Sequence, residues 1–281
     1  TGDDNGDTAA GAAHLVFAAD IDEADDLSIS WERTVLFYGP DEYNKAGTSV
    51  DGAGDVDGDG RADIMVGVPL SDKFGDLTGF VGLVYGDSIE GNTSHALSDS
   101  DHILYGEDVG DNAGQSVAGS GDVDGDGYAD ILIGSFYAER AYIFLGSGLG
   151  SDKTVSLAEA DHIFINDEKW DMAGYDLDWA GDVDGDGASD VLIGAWGDGL
   201  GGSEAGLAFL IPAADFSGAG TIDLETEGYR YAGEQAGDNA GHSVAGAGDV
   251  DGNGLDDILI NAFYSDDAAK DAGKVSIFLS F

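Results

Sequence analysis

Short apolar runs, separated by stretches rich in glycine and aspartate, recur along the whole chain. The most apolar of these runs lie at 64–66, 131–133, 191–193 and 258–260. Each is short, contains β-branched residues and has no polar position, which is typical of a strand buried on both faces. No segment keeps the 3.6-residue periodicity of an amphipathic helix. The pattern therefore predicts an all-β fold.

Three further apolar runs accompany each of these strands and define a repeat. A first strand rich in small residues precedes it, a third strand follows a polar loop, and a fourth strand follows a variable loop. The predicted first strands are 49–50, 116–118, 175–177 and 243–245, the third strands 81–85, 141–145, 207–211 and 275–279, and the fourth strands 35–38, 102–105, 162–165 and 229–231. Four antiparallel strands per repeat, radially repeated, are typical of β-propeller blades.

An acidic loop joins the first strand to the second in all four repeats. It begins at Asp55, Asp122, Asp182 and Asp249, so consecutive copies are 67, 60 and 67 residues apart. Carboxylates stand at positions 1, 3, 5 and 9, with one Asn at position 5, and glycines at positions 4 and 6 allow a tight turn. Ca²⁺ takes six to eight oxygen ligands, including backbone carbonyls, and position 7 can supply one. The predicted ligands are Asp55, Asp57, Asp59, Arg61 and Asp63; Asp122, Asp124, Asp126, Tyr128 and Asp130; Asp182, Asp184, Asp186, Ala188 and Asp190; and Asp249, Asp251, Asn253, Leu255 and Asp257.

A simpler interpretation is that the Asp-Gly pairs only make hairpin turns. Electrostatics argues against it, because carboxylates about 4 Å apart repel by roughly 4 kcal/mol per pair at an effective dielectric constant of 20. Four turns without an ion would each carry that cost. The loop also differs from an EF-hand, which runs twelve residues and ends in Glu between helices. We therefore predict four Ca²⁺ sites inside β-hairpins.

The repeats divide the chain as one propeller domain, or a segment of one, over residues 1–281. Residues 1–39 supply the outer strands of a partial blade, with a third strand near 15–17. The successive repeats are 40–106, 107–166, 167–233 and 234–281. The last repeat ends after its third strand, whereas the N-terminus has a spare third and fourth strand. Three interpretations stay open: the spare strands close a ring, they pair between chains in a homo-oligomer, or the chain is a piece of a larger propeller.

Composition limits the classes of partner. The 281 residues carry a formal net charge of −47, and four bound Ca²⁺ would reduce it to about −39. Such a surface repels nucleic acid and anionic membranes. The chain has no cysteine, which excludes disulfides, zinc–thiolate sites and a thiol nucleophile. No apolar run approaches the ~20 residues that span a bilayer, and no signal peptide is visible at Thr1, so a mature form or an excised piece is expected.

The residues around the second loop resemble an FG-GAP repeat, the unit of integrin α-chain-like β-propellers. The resemblance rests on Tyr105-Gly106, Gly114-Gln-Ser-Val117, the acidic loop and Asp130-Ile-Leu-Ile-Gly134, with equivalents in the other repeats. The third repeat departs most, with Tyr175-Asp-Leu-Asp-Trp179 in its first strand, and Ile165-Asn166 stands where the first two residues of the motif are expected. The resemblance implies an extracellular or cell-surface, calcium-stabilised scaffold whose faces serve adhesion or recognition, without enzymatic chemistry.

Other chemistry has weaker support. His102 and His162 recur at one repeat position, and a strand-face role is favoured over a metal or catalytic one. The four tryptophans are interpreted mainly as core residues; they are Trp31, Trp170, Trp179 and Trp196. They also allow an alternative function, carbohydrate binding in clefts between blades through Trp and Asp. We find no nucleophile elbow and no phosphate-binding loop. The favoured partner is a protein or glycan ligand at the cell surface, with no membrane insertion.

Overall fold

The computed structural model describes residues 10–17, 34–89, 94–216, 218 and 220–280. Its strands are, in chain order, β1 (Ala12–Val16), β2 (Thr34–Tyr38), β3 (Val50–Gly54), β4 (Asp63–Val68), β5 (Phe80–Val84), β6 (Ser94–Ala96), β7 (His102–Tyr105), β8 (Ser116–Gly121), β9 (Asp130–Ser135), β10 (Arg140–Phe144), β11 (Thr154–Ser156), β12 (His162–Ile165), β13 (Leu177–Gly181), β14 (Asp190–Ala195), β15 (Leu207–Ile211), β16 (Gly220–Asp223), β17 (Tyr229–Ala232), β18 (Ala240–Gly248), β19 (Asp257–Ala262) and β20 (Lys274–Phe278). One α-helical turn, Gly86–Ile89, and short 3₁₀ turns at Leu97–Asp99, Phe136–Ala138, Gly146–Gly148, Leu157–Glu159 and Ala213–Phe216 complete the elements.

The described strands form five sheets, which we number I to V in chain order. Their strand orders are β1-β2-β6 (I), β3-β4-β5-β7-β11 (II), β8-β9-β10-β12-β16 (III), β13-β14-β15-β17 (IV) and β18-β19-β20 (V). The first to fourth strands of a repeat pair antiparallel with their neighbours, as Ile64 with Val84 and Val81 with Leu104 illustrate. The all-β prediction and the predicted positions of the second, third and fourth strands are confirmed.

The structure adds a strand that the repeat pattern does not predict. In sheets I to III the outermost strand is supplied by the following repeat and runs parallel to its neighbour: β6 on β2, β11 on β7 and β16 on β12. Sheets II and III therefore have five strands, so the prediction of four antiparallel strands per unit was wrong there. The extra strands have three or four residues, which is too short for a recognisable alternation.

The core consists of layers between consecutive sheets. Met65 packs toward sheet III, whereas its neighbour Val66 packs toward sheet I. Leu132 and Ile133 divide in the same way between the layers on either side of sheet III. Alternate side chains of one strand point to opposite faces, so a second strand with a sheet on each side must be apolar throughout. This explains the uninterrupted apolar runs in the sequence.

Glycines let consecutive sheets approach closely. Gly67, Gly134 and Gly194 occupy one position in β4, β9 and β14, and a side chain at any of them would collide with a backbone carbonyl of the next repeat, at Gly114, Gly174 or Gly241. The first strands of sheets II to V are consecutive neighbours. This contact brings the four acidic loops to the same end of the sheets.

Sheets I and V differ from the others in their pairing. Among the described residues no strand pair joins sheet I to sheet V, and β20 pairs only with β19. One face of β20 is exposed, with Val275 66% and Ile277 53% accessible. In the part of the chain that the structure describes, no helix has the length and apolar character needed to cross a membrane.

Candidate metal centres

Each predicted calcium loop lies where the sequence places it, between the first and second strands of a sheet. In sheet III, β8 ends at Gly121, and β9 begins at Asp130, the ninth residue of its loop. Sheets II, IV and V repeat this arrangement. The hairpin context is therefore confirmed, and it follows from the small-residue first strand and the apolar second strand that flank each loop.

Three carboxylates converge in every loop, from positions 1, 3 and 9. One oxygen from each lies within 4.8 Å of an oxygen of the other two. The four triads are Asp55, Asp57 and Asp63; Asp122, Asp124 and Asp130; Asp182, Asp184 and Asp190; and Asp249, Asp251 and Asp257. An ion with ligands at 2.3–2.6 Å brings together oxygens up to about 5 Å apart, so each triad is close enough to share one ion.

The residue at position 5 is outside these triads. Asp59 accepts a hydrogen bond from the Arg61 N–H at 2.8 Å, and Asp126 accepts one from the Tyr128 N–H at 2.9 Å. The same bond joins Asp186 to Ala188 and Asn253 to Leu255. Position 5 thus shapes the turn here, and its role as a ligand stays a prediction, as does that of the position-7 carbonyl.

Backbone hydrogen bonds hold the first carboxylates in place. In the first loop the N–H of Gly60 donates to Asp55 Oδ2 at 2.9 Å, and the N–H of Asp59 donates to Asp57 Oδ1 at 3.0 Å. Gly60 has a φ of +88°, which glycine adopts without a steric penalty. The loop thus positions its acids by means of its own backbone.

The acid at position 9 has a second role that the sequence analysis missed. Asp130 is 1% exposed; its Oδ2 accepts from the Val123 N–H at 2.7 Å, and its Oδ1 accepts from the Gly146 N–H at 3.0 Å. The first bond closes the loop, and the second ties it to the end of the third strand. Asp63, Asp190 and Asp257 make the equivalent pairs of bonds. The signal in the sequence was the apolar strand directly after this acid, which predicts a buried position.

Burial raises the pKa of three position-9 acids, Asp63, Asp130 and Asp190. It raises the pKa of Asp130 and of Asp190 to about 6, and the nearby loop acids act in the same direction. The backbone N–H donors oppose the shift but do not cancel it. A bound divalent cation would favour the ionised carboxylates. Without one, Asp130 and Asp190 take up their protons nearer to neutral pH than an exposed aspartate does.

The donor chemistry fits Ca²⁺. The converging groups are all carboxylate oxygens, which hard cations prefer. Asp55 Oδ1 is buried and has no hydrogen-bond partner among the described residues, and an unpaired buried oxygen is costly unless a donor or a cation satisfies it. The arrangement could therefore hold a cation, and an ion there would join the start and end of each loop.

The four loops also contact one another in a row. The N–H of Ala129 donates to Asp55 O at 3.0 Å, that of Ser189 to Asp122 O at 2.9 Å, and that of Asp256 to Asp182 O at 3.0 Å. The ring of Tyr128 lies over Gly58 of the preceding loop. Each of the first three loops is thus supported by its successor.

Comparison with known proteins agrees with this geometry. The family model described as FG-GAP repeat matches residues 46–85 and 113–144. The chain contains FG-GAP repeats. The matched stretches run from the first strand through the acidic loop to the third strand in sheets II and III. The repeats in sheets IV and V carry the same acid triads.

Curated relatives of these FG-GAP repeats are integrin α chains. The chain is 31% identical over 257 residues to integrin alpha pat-2 of Caenorhabditis elegans, covering 85% of this chain and 20% of the relative. It is 29% identical over 231 residues to integrin alpha-PS2 of Drosophila melanogaster (76% and 15%). It is 32% identical over 150 residues to human integrin alpha-IIb (51% and 14%). The chain thus spans about a fifth or less of these relatives.

The opposite end of the FG-GAP sheets carries a row of aromatic side chains. These residues come directly after a second strand, or lie just before or near the start of a first strand. They are Phe136, Tyr175, Trp196, His242 and Phe263. Centroids of neighbouring rings lie 4.9–6.0 Å apart, from Phe136–Tyr175 to His242–Phe263. The row crosses three sheets, and Phe263 is 47% exposed. Sequence analysis missed it because its members are far apart in the chain.

The predictions for the tryptophans and histidines are confirmed only in part. Trp179 is 8% exposed, as a core residue should be, and His102 and His162 lie buried on their strands. The core interpretation of Trp170 was wrong, because its side chain is 70% exposed on the loop between β12 and β13, where no sheet covers it. Trp31 lies outside the described residues.

Proposed function

We propose that this chain is a calcium-binding β-propeller segment that acts outside the cell as a structural, adhesion or protein-interaction module. The observation that carries the proposal is the convergence of three carboxylates in the same geometry at four successive hairpins. In this proposal sheets II to IV are complete blades, and the FG-GAP repeats supply the scaffold. No residue is assigned a catalytic role.

Calcium in these loops would stabilise only the folded state, because the unfolded chain does not bring the carboxylates together. An ion shared by positions 1, 3 and 9 ties the start of the loop to the first residue of the second strand. At ten times its dissociation constant, one ion adds about 1.4 kcal/mol, and four add about 6 kcal/mol. Domains are commonly stable by only 5–15 kcal/mol, so the ions would supply a large share. Millimolar extracellular Ca²⁺ suffices for weak sites of this kind.

The aromatic row is the proposed contact surface for a protein partner. Aromatic side chains are enriched at the centres of protein interfaces, and these rings are held by their neighbours, which lowers the entropy lost on binding. The acidic loops at the other end of the sheets would remain free for calcium. Similarity to integrin α chains supports an adhesive role at the cell surface.

Calcium titration tests the proposal. EDTA-treated protein should bind four Ca²⁺ per chain, and its melting temperature should rise markedly with calcium. Asp124→Asn keeps the acceptor for the Asp126 N–H but removes a ligand charge, so we expect three ions. Asp72→Asn is the matched control, because Asp72 is an exposed acid outside the loops that caps the Leu77 N–H. An unchanged melt on adding calcium, or the same loss in both variants, would contradict the proposal.

A second candidate function, carbohydrate binding, is favoured by one cleft. It lies between the 3₁₀ turn Phe136–Ala138 and the loop 166–173, and it carries two exposed aromatic rings, Tyr137 and Trp170.

A further inference from the structure

An exposed tryptophan occupies a backbone position at which two other repeats have glycine. The four loops that lead into the first strands share a residue three places before an alanine, and its φ is positive in all of them. The residues are Tyr43 (φ 64°), Gly110 (φ 89°), Trp170 (φ 75°) and Gly237 (φ 87°). Glycine suits this conformation, whereas a bulky side chain is strained in it. Trp170 is strained and also leaves a large ring in water, so local stability does not explain its presence.

A buried glutamate holds Trp170 in this conformation. Glu139 Oε1 accepts from the Trp170 N–H at 2.8 Å, and Oε2 accepts from the Ala173 N–H at 2.8 Å. In the repeat of sheet II, backbone carbonyls of the loop between the second and third strands accept the equivalent bonds, Gly110 N–H to Asp76 O and Ala113 N–H to Thr78 O. That loop spans residues 69–79, whereas only 136–139 are present in sheet III.

The shorter loop leaves an open cleft beside the tryptophan. Its volume is about 330 Å³, and its walls include Tyr137, Arg140, Asp167, Lys169 and Trp170. Tyr137 is 54% exposed and packs on Phe136 with ring centroids 4.1 Å apart. Two flat rings therefore border a space at the lower end of the size range of small-ligand sites.

Polar groups with unused hydrogen-bonding capacity surround this space. The side chains of Asp167 and Lys169 make no hydrogen bond or ion pair with any described residue. Arg140 gives one N–H to Glu107 at 2.7 Å and also interacts with the Tyr142 side chain, while its Nε is buried without a partner among the described residues. Lys169 and Arg140 are two of only ten basic residues in the whole chain.

We propose that this cleft binds a saccharide, with one pyranose ring stacked on Trp170. A pyranose presents an apolar C–H face, which suits an indole ring, and a rim of hydroxyls, which suits carboxylate, ammonium and guanidinium groups. Asp167 accepts from the hydroxyls, and Lys169 and Arg140 donate to them or to a sugar carboxylate. This site is separate from the calcium loops and from the aromatic row proposed for a protein partner, so neither function depends on the other.

The glycine found at this position in two other repeats suggests the substitution that tests the site. Trp170→Gly installs the residue found at Gly110 and Gly237, so the fold should keep or raise its melting temperature. Tyr43→Gly is the matched control, since it makes the same change at the equivalent loop position, outside the cleft. The probes are maltotriose, chitotriose and tri-galacturonic acid, titrated by calorimetry and by saturation-transfer NMR with calcium present.

We expect at least one probe to bind the parent chain and the Tyr43→Gly variant equally, and to bind Trp170→Gly about tenfold more weakly or not at all. A preference for tri-galacturonic acid would assign Lys169 to a sugar carboxylate, and a preference for the neutral sugars would assign it to hydroxyls. Absence of binding by all three probes, equal binding by both variants, or a large fall in the melting temperature of Trp170→Gly alone would overturn the proposal.

Discussion

At the scale of residues, Glu139 is an ionisable group that also accepts backbone hydrogen bonds, and its titration makes the folding stability depend on pH. Burial raises its pKa to about 7, although the N–H donors of Ala173 and Trp170 oppose the shift. The folded protein therefore holds this proton more tightly than the unfolded chain, in which the pKa is near 4.5. The group contributes stability that is fully present below pH 4.5 and is lost as the pH rises through 7.

Glu139→Gln removes this titration. The amide offers only one acceptor to the two N–H donors, so the variant should be less stable than the parent at pH 5. The parent loses the stability that comes from the raised pKa of Glu139 as the pH rises from 5 to 8, whereas the variant has no such group to lose. The gap between their melting temperatures should therefore narrow over that range. Thermal melts at constant calcium measure it, and a gap that is constant or widens would show that Glu139 stays ionised throughout.

At the scale of elements, the calcium loops form a connected row rather than four separate sites. Gly58 and Gly125 occupy position 4 of the first and second loops, with φ of +75° and +72°. A side chain at Gly58 would collide with Tyr128 of the next loop, whereas Gly125 has open space around it. Alanine at either position meets left-handed strain of about 1–2 kcal/mol, and Gly58→Ala adds overpacking of about 1–3 kcal/mol.

These two glycines allow a matched test of coupling between loops. Gly58→Ala should lower the melting temperature more than Gly125→Ala and should weaken calcium binding at two sites, because it displaces a side chain of the neighbouring loop. Gly125→Ala should weaken only its own site. Calorimetric titration of both variants separates these outcomes. Equal effects would mean that the loops bind their ions independently.

The sequence predicts some elements better than others for physical reasons. Second strands such as 131–133 are predictable because a sheet packs on each face, which requires every side chain to be apolar. Strand β11 is not, since three residues carry no periodicity and its partner β7 lies about 50 residues earlier in the chain. The acid triads were predictable from spacing alone. The exposure of Trp170 was not, because it depends on the length of a loop in another part of the repeat.

At the scale of the whole molecule, an exposed apolar face favours association between chains, whereas the net negative charge opposes it. Sheet V presents Val275 and Ile277 to solvent, and the outer edge of β20 has no partner strand among the described residues. Exposed apolar surface beside a free strand edge favours association. The net charge of −47 repels a second copy, and four ions would reduce it only to about −39. Salt screens this repulsion over a Debye length of about 8–10 Å.

The exposed face of sheet V predicts concentration-dependent association that calcium and salt strengthen by reducing the charge repulsion. Light scattering across a concentration series should show a mass above that of the 28.7 kDa chain, and EDTA or low salt should reduce it. Val275→Asp on the exposed face should give a monomer with an unchanged melting temperature. A monomer at all concentrations in calcium and salt would contradict self-association.

The parallel strands β6, β11 and β16 affect how the protein can fold while it is being synthesised. A ribosome releases β7 about fifty residues before β11, its outer neighbour in the finished sheet. Until that later segment emerges, the margin of the earlier sheet is open to the wrong pairing. Translation speed through each linker, and any chaperone present, would then influence yield in addition to the thermodynamics of the finished fold.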